Sequence, residues 1–566
     1  MQPSHSAGVQ HQERYHSTLR AKSFQHLGIT ACSGPDTATR TCGPARHGPA
    51  HYSASSTLHL DPTQSIVLAS TTGTVWNYVF MATLFELGLT LKDVDLGAID
   101  AESDHNLANH FIKTTYATDI LSARHEHVLG RKGSGKSALF RQLQTVVADD
   151  VIVEQVETNQ AVWSLLKQYE DRDNPNREAA FVTAWSYVLA LLTAQAIVKA
   201  NLLLSEPSRR AFVPAQKFLE ANFPTGTSPV AMARSFIKRI RTLDLQAFGI
   251  GGGISWEPDQ TAEVASIIVE KVMAAVEPTI REVGMVLALD KLDDAWDGSA
   301  DSKSMMVGLL QAAKDLNDRF GFRNANDRHL RILSFIRSDI YESLDFDDKD
   351  KHRPLELPIT WTPESLAQMV TARLPEGVGV DDLLGGGMRG DANPFNYIVG
   401  RTFMRPREVL QFLGEAKKDC GKAATVISAE AIRSAEERYS AWKVDDLKQE
   451  YSKSDQDLAT LLECLRQGAH RYDSIEDLEE IIASKAPQLL SPPDITPRTL
   501  VQKLFGYSVI GVRVGNSGSA RFKCEIPQLT LPTTGMVYVH PSLHKGLLIK
   551  EARKDRKPSD GAVLHI

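Results

Sequence analysis

Gly130-Arg131-Lys132-Gly133-Ser134-Gly135-Lys136-Ser137 fits the pattern G-x-x-x-x-G-K-[ST]. The glycines let successive main-chain N–H groups turn inward toward a phosphate, and the N-terminus of a following helix favours negative charge there. In that frame Lys136 reaches the β and γ oxygens of a nucleotide, Ser137 offers its hydroxyl to Mg²⁺, and Ala138 starts the helix. A glycine-rich turn with an incidental lysine is the plainer alternative, but it leaves the pair Gly133 and Gly135 unexplained. A phosphate cradle also needs a metal partner. The run VLALD supplies one, because four apolar residues of a buried strand end in Asp290 at the edge of a sheet, a Walker B pattern.

The chain continues Lys291-Leu292-Asp293-Asp294-Ala295-Trp296-Asp297. Many P-loop ATPases carry a glutamate next to the metal carboxylate to polarise the attacking water, and Lys291 stands in that place. Asp293 or Asp294 therefore becomes the candidate base, and slow hydrolysis is expected. A solvated acidic helix start is the competing reading of Asp294 and Asp297. The strand ILSFI ends in Arg337-Ser338-Asp339, so Arg337 is placed either to sense a γ-phosphate or merely to pair with Asp339. Thr402-Phe403-Met404-Arg405-Pro406-Arg407 puts two arginines at a helix start, where Arg405 or Arg407 reaches back to the phosphates or stays solvated. No N-K-x-D motif, which would read guanine, is found, so ATP is the expected nucleotide.

These groups need a scaffold. Val128 and Leu129 end a short strand before the glycine loop, and Leu139, Phe140 and Leu143 carry a helix after it. Val151–Val153 reads as a second strand and Phe181–Leu204 as a long apolar helix, with a break from Pro207 to Pro214. Residues 215–260 are poorly patterned, with FGIGGGISW a glycine-broken hairpin or surface loop. A helix over Thr261–Glu282, the strand MVLALD, a helix over Ser302–Phe320 and the strand RILSFIR follow. That alternation predicts a parallel α/β sheet with helices on both faces. Lys136 and Asp290 are 154 residues apart, too far for a simple nucleoside kinase and far enough for an extra strand. After Pro358 helices over Pro363–Leu374, Pro394–Gly400, Pro406–Lys418 and Ala429–Lys448 suggest a helical lid. Helices at Leu458–Arg466, Ile475–Ser484 and Pro497–Leu504, then two strands joined by NSGS, make a winged-helix-like region. The implied domains are 1–80 (disordered or non-native extension), 81–360 (P-loop α/β domain), 361–450 (lid), 451–547 (winged-helix-like) and 548–566 (basic flexible tail).

The 566 residues carry 63 Lys and Arg against 70 Asp and Glu, a formal charge of −7. That balance argues against coating nucleic acid or an anionic membrane with the whole surface. Residues 495–566 are locally basic, with eleven Lys or Arg against four acids. Five widely spaced Cys give neither a disulfide framework nor a zinc knuckle, and a reducing cytoplasm is expected. Residues 1–60 hold seven of the seventeen His and little aliphatic sequence, hence the expectation of disorder. A transit peptide, or a true start at Met81, would also explain them. The uncharged stretch from Gln64 is long enough to span a bilayer, but its threonines, Gly73 and Asn77 argue against insertion. His125 and His127, with no Cys nearby, are expected to be structural or solvated.

GRKGSGKSA, LDKLDDAWD, FIRSDIYESL, the tryptophan of LPITW and TFMRPREVL together resemble a bacterial P-loop ATPase family allied to the AAA+, STAND and KAP branches of the additional-strand class, over roughly residues 95–545. The resemblance implies an ATP-driven, self-associating switch in signalling or antiviral defence. Gly130 to Ser137 would then be the Walker A loop, Asp290 the Walker B acid, Arg337 a sensor, and Arg405 or Arg407 a lid residue. The expected ligands are ATP and Mg²⁺, and the expected partners another copy of the chain or an effector protein. The alternative is a DNA-binding ATPase that docks its winged helix on duplex DNA, resembling origin-recognition or loader proteins. A third reading is a scaffold that binds Mg-ATP without cleaving it.

Overall fold

Met285 to Leu289 form a strand without a polar side chain, and every one of them is buried. Such a strand needs cover on both faces, and a parallel sheet between helices gives it that. The sheet has five strands, β1 (His127–Leu129), β2 (Ile152–Glu157), β3 (Met285–Asp290), β4 (Leu330–Ile336) and β5 (Glu356–Pro358), all parallel in the order β2-β3-β4-β1-β5. Successive side chains point to opposite faces. Met285, Leu287 and Leu289 join one core with the long helices, while Val286 and Ala288 join a second core with Leu139, Phe140 and Leu143. β2 occupies the chain between the glycine loop and Asp290, and β4 the space between them in the sheet. β5 was not anticipated, because three residues ending in Pro358 carry little pattern.

The computed structural model describes residues 66–69, 75–78, 82–120, 125–148, 150–158, 160–166, 177–223, 226–250, 260–294, 296–320, 328–388, 392–514 and 519–550. The expectations for the first sixty residues, Met81, most of FGIGGGISW and the end of the basic tail fall outside them. Within the uncharged stretch, Ile66–Ala69 pairs antiparallel with Val75–Tyr78.

Helix α1 (Lys136–Arg141) follows the glycine loop. Between β2 and β3 lies a helical insert of α2 (Arg177–Ala200), α3 (Glu206–Asn222), α4 (Pro229–Arg239) and α5 (Thr261–Val283). The expected break from Pro207 to Pro214 is instead helical. Pro207 sits in the first turn, where its missing N–H has no intrahelical partner to lose, and α3 continues through Pro214. Among the described residues α2 alone is long and apolar enough to cross a membrane, and most of it is packed inside this insert. Helix α6 (Ala300–Phe320) joins the same core.

The lid comprises α7 (Pro363–Thr371), a short helix Pro394–Val399, α8 (Pro406–Lys418) and α9 (Ala429–Tyr451), with a core of its own. Leu84, Leu91, Val94 and Leu96, expected in the α/β domain, belong to that lid core. They form a strap whose apolar residues are too sparse to read as an element. The C-terminal region runs α10 (Asp457–Leu465), β6 (Arg471–Tyr472), α11 (Ile475–Lys485), α12 (Pro497–Gly506), β7 (Ile510–Arg513), β8 (Ala520–Arg521) and β9 (Val537–Val539). Its antiparallel sheet has the order β6-β9-β7-β8. The second strand expected across ARFKCEI is only two residues long, and the unanticipated β9 holds the sheet together by pairing both β6 and β7.

Candidate functional site

The glycine loop and Asp290 meet at the C-terminal edge of the sheet. Gly133 and Gly135 adopt left-handed φ of 78° and 98°, the freedom that a loop folded around its own amides requires. A Cβ on Gly133 would lie 2.9 Å from Cβ of Arg407, so this glycine also lets α8 approach the loop. Lys136 folds across the loop, its Nζ donating to Gly130 O at 2.8 Å and Arg131 O at 3.4 Å. The Ser137 hydroxyl lies on the Asp290 side of the loop and favours the charged form of that carboxyl. Thr158 anchors the end of β3 by donating its N–H and its hydroxyl to Asp290 O, each at 3.0 Å.

Burial pushes the Asp290 carboxyl up, against the opposing pull of the Lys291 amide, Lys136 and Ser137. Burial likewise pushes the Lys136 ammonium down, opposed by Asp293 and Asp290. Each charge is thus short of counter-charge, a state that a phosphate would relieve at Lys136 and a divalent cation at Asp290.

A cleft of about 380 Å³ opens here, within the size range of small-ligand sites. Lys132, Gly133 and Gly135 to Ala138 form one wall, and Asp290, Lys291, Asp293 and Asp294 another. The far wall was not legible in the sequence. Ala98, Ile99 and Leu107, from the strap ahead of the sheet, and Leu410 of α8 give the cleft its apolar lining. Arg373 closes it, donating to Met369 O at 2.7 Å while its buried Nε has no partner.

Asp293 and Asp294 both reach the cleft. Asp293 lies 3.8 Å from Arg337. Asp294 is pushed up by partial burial and by Asp293 beside it. Lys291, held at a left-handed φ of 61°, gives its ammonium to Glu157 at 2.7 Å. Asp297 accepts from Ser299 and Ser302 at the start of α6, a helix-start role. Arg337 pairs with Asp339 at 2.6 Å, as the plainer reading had it, and also meets Glu450.

The two lid arginines part company. Arg407 lines the cleft, with its Nε buried and unpartnered. Arg405 does not reach it. Its guanidinium donates to Lys132 O and to Glu450, each at 3.0 Å, and it lines a different cavity behind the loop. Arg131 and Ser134, expected to contact nucleotide, face that rear cavity too. Arg131 bonds the Tyr451 hydroxyl at 2.8 Å and Gly506 O at 3.4 Å. Lys132 reaches Asp446 at 3.3 Å, and the Trp361 indole donates to Ser134 O at 2.7 Å. The loop is therefore tied from behind by the lid and the C-terminal region. The reason is local: of the four x positions, only the main chain is required at a phosphate, which leaves the side chains free to face away.

From the cleft to behind the loop runs a series of alternating charge, Asp293, Arg337, Glu450, Arg405, Glu408 and Lys443, buried from Glu450 onward. Glu450 is wholly buried, and nothing in its local sequence marks it. His127, also buried, bonds His352 at 2.9 Å, as expected of a structural histidine.

Among the described residues no group of three or more His, Cys, Asp or Glu is set to hold a metal. Mg²⁺ at a phosphate site needs less, one or two protein ligands completed by phosphate and water. Ser137 and Asp290 fit that role.

Residues 364–448, which contain Arg373, Arg405, Arg407 and Lys443, match the family described as "FunZ-associated C-terminal helical domain". The chain is also similar to the "Putative transposon gamma-delta 80.3 kDa protein" of Escherichia coli (strain K12), with 24% identity over 524 residues, 82% of this chain and 68% of that protein.

Proposed function

We propose that the chain is a P-loop ATPase of the additional-strand class, a regulatory switch that binds Mg-ATP and hydrolyses it slowly. The observation that carries this reading is the meeting of the Ser137 hydroxyl, the Asp290 carboxylate and Lys136 at the mouth of a glycine loop with two left-handed glycines. The strand order, with β4 between the loop strand and the metal strand, supports it.

The loop amides and Lys136 would hold the phosphates, and Ser137 and Asp290 the Mg²⁺. Bound Mg-ATP supplies the phosphoanhydride bond and the charge-neutralising metal. Ala98, Ile99 and Leu410 would pack the base. Asp293 or Asp294 would orient the attacking water, and partial burial raises the proton affinity of Asp294. With Lys291 directed to Glu157, no carboxylate follows Asp290 directly, which favours slow turnover. Arg407 is the lid residue placed to answer the γ-phosphate, so that loading biases how the lid packs. The order of elements in the C-terminal region supports a winged-helix-like domain with an enlarged wing.

The test is titration of the full chain with a fluorescent ATP analogue and Mg²⁺, alongside phosphate release and sizing. Lys136→Ala and Asp290→Ala are expected to abolish retention or turnover, and ATP to change the size of the particle. Unchanged nucleotide binding in Lys136→Ala overturns the reading. Binding without phosphate release leaves the scaffold alternative.

A further inference from the structure

The helical insert carries a surface unlike the rest of the molecule. On α4 and the 3-10 turn after it, Ile240–Thr242, stand Arg234, Lys238, Arg239 and Arg241, all exposed. None of the four side chains makes a hydrogen bond or ion pair with any described residue. Of the neighbouring cations of the insert, Lys217 and Lys271 stand singly on α3 and α5. Arg209 and Arg210 are held by Glu206, and Arg281 by Glu277. Between Pro229 and Ile250 the only acid is Asp244, whose carboxylate accepts from the Gln246 amide.

Arg234 and Lys238 are spaced i, i+4 and so share one side of α4, while Arg239, at φ −135° and ψ −1°, ends the helical path and leads into the 3-10 turn that bears Arg241. At about 1.5 Å of rise per residue this helical pair is spaced about 6 Å along the axis, and Arg239 and Arg241 extend the cluster past the helix end. One strand of a duplex presents a phosphate about every 3.4 Å, so the four clustered cations have about three within reach. The opposite side of α4, with Met232, Ala233, Phe236 and Ile240, is buried in the insert's core. The cluster is therefore fixed on a rigid base and not free to collapse onto acids elsewhere.

We infer that this face of α4 is a contact surface for the phosphate backbone of duplex DNA, bound without reading sequence. Cations alone recognise charge and spacing, and base readout needs further donors and acceptors that the cluster lacks. An anionic membrane is the less suitable polyanion, because a helix lying on lipid inserts an apolar side and that of α4 is already occupied. The C-terminal region is less suited to the task than its composition suggests. On α12, Arg498 pairs with Glu479 at 3.2 Å and Lys503 with Asp455 and Asp457 at 3.2 and 3.1 Å, leaving Gln502 as the exposed side chain.

The inference does not depend on the nucleotide reading. The test is fluorescence anisotropy of the full chain with a labelled duplex of arbitrary sequence, without nucleotide. Binding is expected in the micromolar range at low salt, with log K falling against log [salt] at a slope of about −3, roughly −0.9 per neutralised phosphate. Joint replacement Arg234→Glu, Lys238→Glu, Arg239→Glu and Arg241→Glu is expected to weaken binding about tenfold or more and to flatten the slope. The same four positions changed to Gln should give an intermediate loss, and serve in its place if the charge reversal misfolds. Arg209→Glu with Arg210→Glu, and deletion of residues 551–566, should leave most of the affinity. The inference is overturned if the wild-type chain does not bind, if the Glu and Gln variants keep wild-type affinity, if the tail deletion removes the binding, or if phosphatidylserine vesicles are bound in preference to duplex. Circular dichroism and titration with the ATP analogue separate loss of this surface from loss of the fold or of the nucleotide cleft.

Discussion

Removing the Glu450 carboxylate should loosen the joint behind the glycine loop by an amount that the structure sets. Burial by itself would raise this carboxyl, but Arg405, Arg337 and Lys443 outweigh it and hold it at about 2. Against an ordinary value of about 4.3, that depression corresponds to about 3 kcal/mol of stabilisation at neutral pH. Breaking one partner out of a buried charge pair costs about 3–5 kcal/mol, which agrees at its lower end. The lower end is appropriate because Arg337 keeps Asp339 and Arg405 keeps Glu408, at 2.6 and 3.6 Å. Glu450→Gln preserves the shape and removes the charge. If the loss is confined to the joint, 3 kcal/mol raises its opening equilibrium about a hundredfold. Hydrogen exchange of the amides from Asp446 to Tyr451 reads that opening directly. Because the native carboxyl titrates low, its contribution is complete above the ordinary carboxylate range and disappears as pH falls toward about 2. The gap between wild type and variant should therefore close with acidification. Exchange in Glu450→Gln within about twofold of wild type at pH 7 would refute the assignment of a stabilising charge to this site.

Gly133→Ala is expected to cost about 1–2 kcal/mol through its left-handed backbone alone and to push Arg407 out of the cleft, weakening nucleotide binding. Gly298 has a similar φ of 74° with open space where a Cβ would go, so Gly298→Ala carries the strain without the displacement. Comparing the two by thermal melting and nucleotide titration isolates the Arg407 contact. Burial, reinforced by His352, pushes His127 down to about 3, and burial pushes His352 down to about 4. Both histidines are neutral in the fold and gain protons on unfolding, so stability should fall as pH drops below about 6.5. Urea midpoints at pH 7 and 5 check the sign, and His352→Gln should shrink that difference.

How much of this was legible in the sequence depended on range. The glycine loop and VLALD could be read because each is a contiguous string whose chemistry fixes both residue type and spacing. The lid helices were legible for a similar reason, since Pro363, Pro394 and Pro406 each stand in a first turn and mark a helix start. Proline misled at Pro207, where the same first-turn tolerance operates but a second proline downstream suggested a break. The strap carrying Ala98, Ile99 and Leu107 was invisible because its role comes from lining one cleft with Leu410, more than three hundred residues away in the chain. Glu450 was missed for the same reason, its partners being supplied by β4's end and by the start of α8. Arg405 and Arg407 looked equivalent in sequence. Their separation, one behind the loop and one in front, arises from the turn at Met404, which has a left-handed φ of 56°, and from the entry of α8 against Gly133.

The second and third positions of the phosphate motif, Arg131 and Lys132, hold on to Tyr451, Gly506 and Asp446 rather than to the cleft. Thermodynamic reciprocity attaches a condition to that wiring. If occupancy of the anion cradle alters the grip of these two side chains, then any event that detaches the C-terminal region must alter the cradle's affinity by the same factor. A mutation remote from the cleft, at Tyr507 whose ring centre lies 4.1 Å from that of Tyr451, would then register as a change in how tightly the cradle holds an anion.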